Sequence, residues 1–399
     1  MSVKESKRNT LDHSKSVSVS RRDRTVTVIV LALSLVIFLV SFFLLRPAKA
    51  SGPLQGDYSE YEKAKVLSIL SDTTEIDPAS DDAYRGEQLI TAEVKTGQYK
   101  GKTMQAYNYV GPLYGTSVKI GDNVVLNIST YASGEVRATV FEYSRALPLL
   151  FVILIFVAVT VLVGRGTGAR SLIALALTIL CLFAMLLPAL KKGAPTILTT
   201  LAVAVFITVV SLTIIGGINK KTLCAMAGTI AGTVFAALFG LICQTVLRVN
   251  GLRMNDVEPL LQIRQTGEAP IGLKGLLIAG VIISAIGAVM DVAMSISSSL
   301  SEVKEADPSY GFKELFRSGM NIGRDMVGTM TNTLILAFMG SSFVLIFYLY
   351  TLDLSFWQLT SSAFVSLEIT SSIACSIGLI LAIPLTAAIC AFVYSKKEA

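Results

Sequence analysis

The residues best placed to do chemistry are polar groups set inside apolar runs. Asp291 is the clearest, lying deep in the apolar stretch around residues 286–299. An ionisable side chain at membrane depth is costly and is a functional candidate for that reason. Ser284, Gly287, Asp291, Ser295 and Ser298 recur at three- and four-residue steps, which places them on one face of a helix. Such a stripe can line a water-filled path in which the carboxylate binds a cation or passes a proton. It can equally pair with a neighbouring helix and fix packing, and the spacing leaves both open. A second cluster, Asn321, Arg324, Asp325 and Asn332, enters the next apolar run; Asp325, Thr329 and Asn332 share a face. Arg324 could pair with Asp291 or extend to the headgroups. Glu368 leads into the last apolar run ahead of Thr370 and Cys375.

Other chemistries are excluded cheaply. The single histidine is His13, in a basic tail, so the folded body has no His-based catalysis and no His-ligated metal. The five cysteines (Cys181, Cys224, Cys243, Cys375, Cys390) all lie in apolar stretches, with no CxxC pair. There is no HExxH, no GxSxG and no GxxxxGK[ST] motif. A two-aspartate intramembrane protease would need a second deep carboxylate. The expectation is a protein that is not an enzyme, with no catalytic residues, no metal and no cofactor.

The elements that must position these residues are apolar helices. The chain has 399 residues, 53% of them hydrophobic and 16% charged, and a mean hydropathy of +0.65; soluble domains carry about 25% charge. Residues 1–25 and 46–145 hold 34 of the 62 charges, leaving 28 for the other 274 residues. Eight stretches are long enough to span a bilayer at about 20 residues each: 26–45, 146–163, 170–190, 196–217, 222–247, 272–298, 329–350 and 370–394. Placing the N-terminus inside puts 17 Lys/Arg in inner segments and 5 in short outer loops. The positive-inside bias therefore predicts both termini in the cytoplasm and residues 46–145 outside. The net charge of +6 sits mainly in tails and loops, which sets topology and gives no reason to expect nucleic acid. Ala48-Lys49-Ala50 resembles a cleavage site, yet the preceding run is longer than a signal-peptide core, so an uncleaved anchor over 26–45 is expected. In the run 222–247, Gly228, Gly232, Ala236 and Gly240 form a small-residue ridge that permits close helix approach. Packing inside the bundle is the first reading of that ridge and a dimer face the second. Pro384 predicts a kink in the last span.

Residues 46–145 change to a two-residue period. Strands are predicted at Tyr61–Leu70, Leu89–Val94, Thr103–Tyr107, Val118–Leu126 (with a Gly121-Asp122 turn inside it) and Val136–Tyr143, with a polar loop over Ser71–Gly86. Five or six short strands in this length suggest a small β-barrel of OB-like size, a class that can bind oligosaccharides or oligonucleotides. No aromatic row is evident, so a structural cap or protein-docking module comes first. The fold class is thus an all-α polytopic bundle of about eight transmembrane helices with a small extracytoplasmic β-barrel inserted after the first. The divisions are 1–25 tail, 26–45 anchor, 46–145 β domain and 146–399 membrane domain with seven helices.

In two blocks, Ala288–Leu300 (AVMDVAMSISSSL) and Arg317–Phe338 (RSGMNIGRDMVGTMTNTLILAF), the sequence resembles the YibE/F family of bacterial multi-pass membrane proteins. Looser similarity covers 146–394, including Leu190–Pro195, and the anchor plus β domain resembles the longer, YibE-type members. The resemblance implies a multi-pass cell-membrane protein described as a permease, without an established substrate. It singles out Asp291, Asn321, Arg324, Asp325 and Asn332 as motif positions and gives them no roles. Combined with the residues, it leads to the expectation of a transporter for a small solute or ion. In that reading Asp291 is the cation or proton site and Arg324 and Asp325 form an inner gate pair. The alternative is a membrane scaffold or sensor whose β domain binds an envelope protein or glycan. The bilayer is the certain partner in either case, and a homo-oligomer is open.

Overall fold

A computed structural model of the protein describes residues 58–254, 257–267 and 269–395, together with Ala32, Leu35, Val36 and Leu39. The basic tail with His13, the rest of the expected first span and Ala50 lie outside the described residues. The chain divides into two units, residues 48–162 and a second that contains 163–399.

Six strands build the first unit: β1 (Tyr58–Asp72), β2 (Glu75–Asp77), β3 (Ala83–Val94), β4 (Thr103–Val110), β5 (Asn123–Thr130) and β6 (Val136–Tyr143). The strand order β1-β5-β6-β4-β3 closes through a β1–β3 pairing, giving a five-strand barrel, while β2 pairs only with β3. The β4–β6 pair is parallel and the others are antiparallel. Closure depends on β1, whose first half pairs with β5 and whose second half pairs with β3 across two register shifts, at Val66/Ser68 and Ile69/Ser71. Bulges bend and twist a strand, and these let 15 residues serve two neighbours. The interior alternates small and large side chains, Ala64, Ala92 and Ala106 beside Ile90, Leu126 and Ile128, as a narrow barrel requires.

Two sequence expectations need correction in this unit. Val118-Lys119-Ile120 is not strand; the strand begins at Asn123. Gln88 explains it: buried in the barrel, its Oε1 accepts from Val118 N at 2.9 Å and its Nε2 donates to Val118 O at 3.2 Å. Those two bonds consume the backbone groups that a ladder would use, and bury Val118. The expected polar loop over Ser71–Gly86 contains β2, a 3₁₀ turn at Pro78–Ser80 and the start of β3.

The second unit is helical. Helix α1 (Ala146–Lys191) starts in the first unit and continues into the second. Then come α2 (Thr196–Gly216), α3 (Lys220–Val246), α4 (Val257–Gln265), α5 (Leu276–Ala306), α6 (Phe312–Ser341), α7 (Phe343–Thr351), α8 (Phe356–Ser361) and α9 (Ala363–Ser395). Among the described residues, five helices are long and apolar enough to cross a membrane, or six if the bent pair α6–α7 counts as one span. Two expected spans, 146–163 and 170–190, both lie within α1. Its backbone leaves the helical region at Arg165 (φ 48°, ψ −133°), inside the Gly164–Arg170 segment that separated the two expected spans. The expected span 329–350 is not one straight helix. Helix α6 begins at Phe312 and breaks at Ser342, where α7 departs at 62°. The break follows Gly340-Ser341-Ser342, a sequence that weakens a helix without proline. Pro384 lies inside α9, which continues beyond it to Ser395.

The core of this unit is α3, α5 and α9, packed through Ala285, Val289, Val292, Ala374, Leu379 and Ala382. The ridge of α3 sits directly on α9 and α5. A Cβ on Gly228 would lie 2.0 Å from Thr386 Oγ1, one on Gly232 would lie 2.7 Å from both Ala382 and Val289, and one on Gly240 would lie 3.1 Å from Ile278. Gly378 of α9 meets Ala236 in the same way, at 2.5 Å. Two small-residue ridges thus run antiparallel in register, which brings the backbones close where lipid would give no hydrophobic drive.

Candidate polar path in the membrane unit

Helix α5 has two unlike faces. Ile282, Ala285, Ile286, Val289, Val292, Ala293 and Ile296 are buried, whereas Ser284, Gly287, Asp291 and Ser295 are exposed and Ser298 is half-buried. A Cβ on Gly287, or on Gly280 two turns earlier, would touch nothing within 4 Å. The polar stripe is therefore the one side of α5 that no described element covers. Its orientation is fixed from the far side, where Ser297 Oγ donates to Lys221 O at 2.6 Å and ties α5 to the first turn of α3. Asn219 caps that turn by accepting from Thr222 N at 2.8 Å.

Helix α6 presents a second open polar face. Gly319 and Gly323 are buried, with prospective Cβ atoms 2.8 Å from Ala387 and 2.1 Å from Ile383 of α9. That contact turns Asn321, Arg324, Asp325, Thr329 and Asn332 away from α9, and all five are exposed. Arg324 Nη1 donates to Asn321 Oδ1 at 3.4 Å, one turn back along the same helix. The Arg324–Asp291 ion pair that the sequence left open is not formed; among the described residues the ion pairs all lie in the β unit. The two groups are nevertheless at similar depth. Leu300 of α5 abuts Gly319 of α6. Counting along each axis from that contact, Asp291 is about 14 Å away and Arg324 about 8 Å. The difference is comparable with the length of an arginine side chain.

Glu368 is not part of either face. It sits on the second turn of α9, half-buried, beside cavities near the α6–α7 break. Asp291, Asp325 and Glu368 make no side-chain hydrogen bond or ion pair to a described residue. No cluster of three or more His, Cys, Asp or Glu side chains suited to a metal occurs among the described residues.

One set of residues escaped the sequence reading. Tyr107 and Tyr109 of β4 are exposed and stacked, with ring centroids 6.2 Å apart and planes 12° from parallel. Tyr61 meets Phe141 edge-on at 5.0 Å, and the Arg137 guanidinium lies 5.8 Å from the centre of the Tyr131 ring. Strand register links them: Tyr107 is opposite Thr139, Thr139 opposite Asn127, and Asn127 opposite Tyr61. Two exposed aromatic pairs therefore lie on the outside of the barrel, with Thr139 and Asn127 between Tyr107 and Tyr61. The signal was the two-residue spacing of Tyr107 and Tyr109, which puts both rings on one face of a strand.

The YibE/F-like protein family matches residues 152–396, more than half of the chain and all of the helices just described from α2 onward. The chain belongs to the YibE/F-like family. No curated protein and no solved structure matches it. The family match covers the Asp291 stripe, the Arg324 face and Glu368, and leaves the β-barrel outside it.

Proposed function

We propose that this YibE/F-like protein moves a small solute or an ion across the bacterial cell membrane. The observation that carries this reading is the open stripe of α5. A carboxylate and three serines on a membrane helix, uncovered by any described helix, would be costly against lipid and suit a wetted path. In this reading Asp291 holds the cation or proton, and Arg324 competes for the carboxylate from a similar depth while Asp325 balances it. The proposed topology keeps both termini in the cytoplasm and eight spans, with the halves of α1 on either side of Arg165 crossing separately and α6–α7 crossing as a broken span. It places the barrel outside the cell. The test is gradient-driven flux in liposomes. Protein reconstituted under a proton or cation gradient is expected to dissipate it, and Asp291→Asn to abolish that flux. Gradients that hold equally with wild type, Asp291→Asn and empty liposomes would remove the reading.

A second reading has its own observation. The exposed aromatic pairs on the barrel offer rings on which sugars can stack, which supports a membrane scaffold or sensor that recognises an envelope glycan. The readings differ at Ser295 and Ser298. Single cysteines there, in a chain lacking the five native cysteines, react with water-soluble thiol reagents if the stripe lines a path. They stay unreactive in a packed scaffold.

A further inference from the structure

The bend between α6 and α7 leaves a half-open pocket of about 410 Å³ against α9, walled by Phe338, Met339, Ile346, Leu349, Ile369 and Glu368. A second cavity of about 120 Å³ shares Glu368 and Leu345 as walls and reaches Ser371. Glu368 is the only charged side chain lining either one, and it has no partner among the described side chains. Non-helical backbone at membrane depth is tolerated where it lines a cavity, and discontinuous helices are where membrane carriers place their ligand sites. The C-terminus of α6 (Met339, Ser342) and the N-terminus of α7 (Leu345, Ile346) both meet this cavity, so their opposite partial charges offset and the Glu368 carboxylate sets its sign. The Phe338 ring offers a face that attracts cations as well.

From this juxtaposition we infer that the cavity is a binding site for an amphiphilic organic cation, its apolar body in the larger chamber and its charge against Glu368. The volume lies within the range of small-molecule pockets, about 300–1,000 Å³, and the lining has their usual form, apolar walls with one polar group that orients the ligand. A lipid tail would fill the same walls but leave the carboxylate uncompensated in an apolar surrounding. An anion would meet the carboxylate with the wrong sign. As a statement about cargo the inference rests on the transport reading; as a statement about binding it does not.

Binding of tetraphenylphosphonium to the full chain in lipid nanodiscs, measured by equilibrium dialysis, tests it. Tetraphenylborate, of the same shape and opposite charge, is the control. Saturable binding of the cation and none of the anion is expected, with affinity falling about tenfold or more in Glu368→Gln and largely kept in Glu368→Asp. Met339→Trp, which fills the larger chamber, should also abolish binding, and it decides the matter if Glu368→Gln does not fold. Non-saturable uptake, equal binding of both ions, or unchanged affinity in a folded Glu368→Gln would overturn the inference. Saturable binding without gradient-driven flux of any solute would leave the site standing and remove the transport reading. Flux that tetraphenylphosphonium neither enters nor inhibits would keep the transport reading and remove the cavity as the cargo site.

Discussion

Asp291 illustrates how far a single residue can be read. Its spacing from Ser284, Gly287, Ser295 and Ser298 placed all five on one face, and that face is legible because a helix has a fixed period. Whether the face meets another helix is not written in the period, since it depends on residues far along the chain, such as those of α9, 72 or more positions away. With no hydrogen bond or ion pair to a described residue to lose, Asp291→Asn should change stability by less than about 1 kcal/mol, measured as thermal unfolding of the purified protein. A loss of several kcal/mol would show that Asp291 is a structural partner after all. A contrasting acid lies in the barrel. Hydrogen bonds from Thr74 and Gln88 hold the Asp72 carboxyl below its ordinary range. A depressed folded-state value stabilises above the unfolded pKa, about 3.9, and that contribution fades as pH falls through the folded value. Wild-type and Asp72→Asn proteins should therefore differ at neutral pH and converge in strong acid, by less than about 1 kcal/mol in all because the group is nearly fully solvated. A gap that persists or widens below pH 3 would contradict the linkage.

At the scale of elements, the small-residue ridge on α3 and the strands of the barrel were legible because close packing and two-sided burial leave periodic marks. The break at Ser342 was not. Gly340, Ser341 and Ser342 weaken a helix, yet the same residues occur in unbroken membrane helices, so the sequence alone does not say that the axis turns there. The Val118–Ile120 segment failed for a related reason, because a side chain from β3 outcompetes the ladder for its backbone. The ridge yields a sharp contrast between glycines. A larger residue at Gly232 must displace Ala382, Val289 and the Gly378 carbonyl, all within 3.0 Å of the new Cβ. Overpacking of this kind costs about 1–3 kcal/mol per site and more against backbone. Gly232→Val should lower the unfolding midpoint markedly, while Gly287→Ala, on the open stripe, should be neutral or slightly stabilising through helix propensity. Equal effects at both positions would mean that the ridge is not a tight contact.

At the scale of the whole molecule, two kinds of periodicity separate two units with different solvents. The barrel has a closed sheet and its own buried core of Ile90, Val124, Leu126 and Ile128, so a polypeptide of residues 58–143 has what it needs to fold alone in water. The helical unit buries its polar backbone in helices and leaves apolar surface for lipid, which is the condition for spanning a bilayer. What connects them to a cell is orientation, and orientation rests on the uneven Lys/Arg count between loops. It leads to a specific pair of outcomes in a chain lacking the native cysteines. A cysteine at Ser133, in the β5–β6 turn, should react with a membrane-impermeant thiol reagent in intact spheroplasts. A cysteine at Glu305, near the end of α5, should react only after the membrane is opened. Reversal of the two would invert the topology, and with it the direction in which Glu368 and Asp291 meet a solute. Reaction of both in intact spheroplasts would mean that one of the proposed crossings between them is not made, and the first to doubt would be the division of α1 at Arg165.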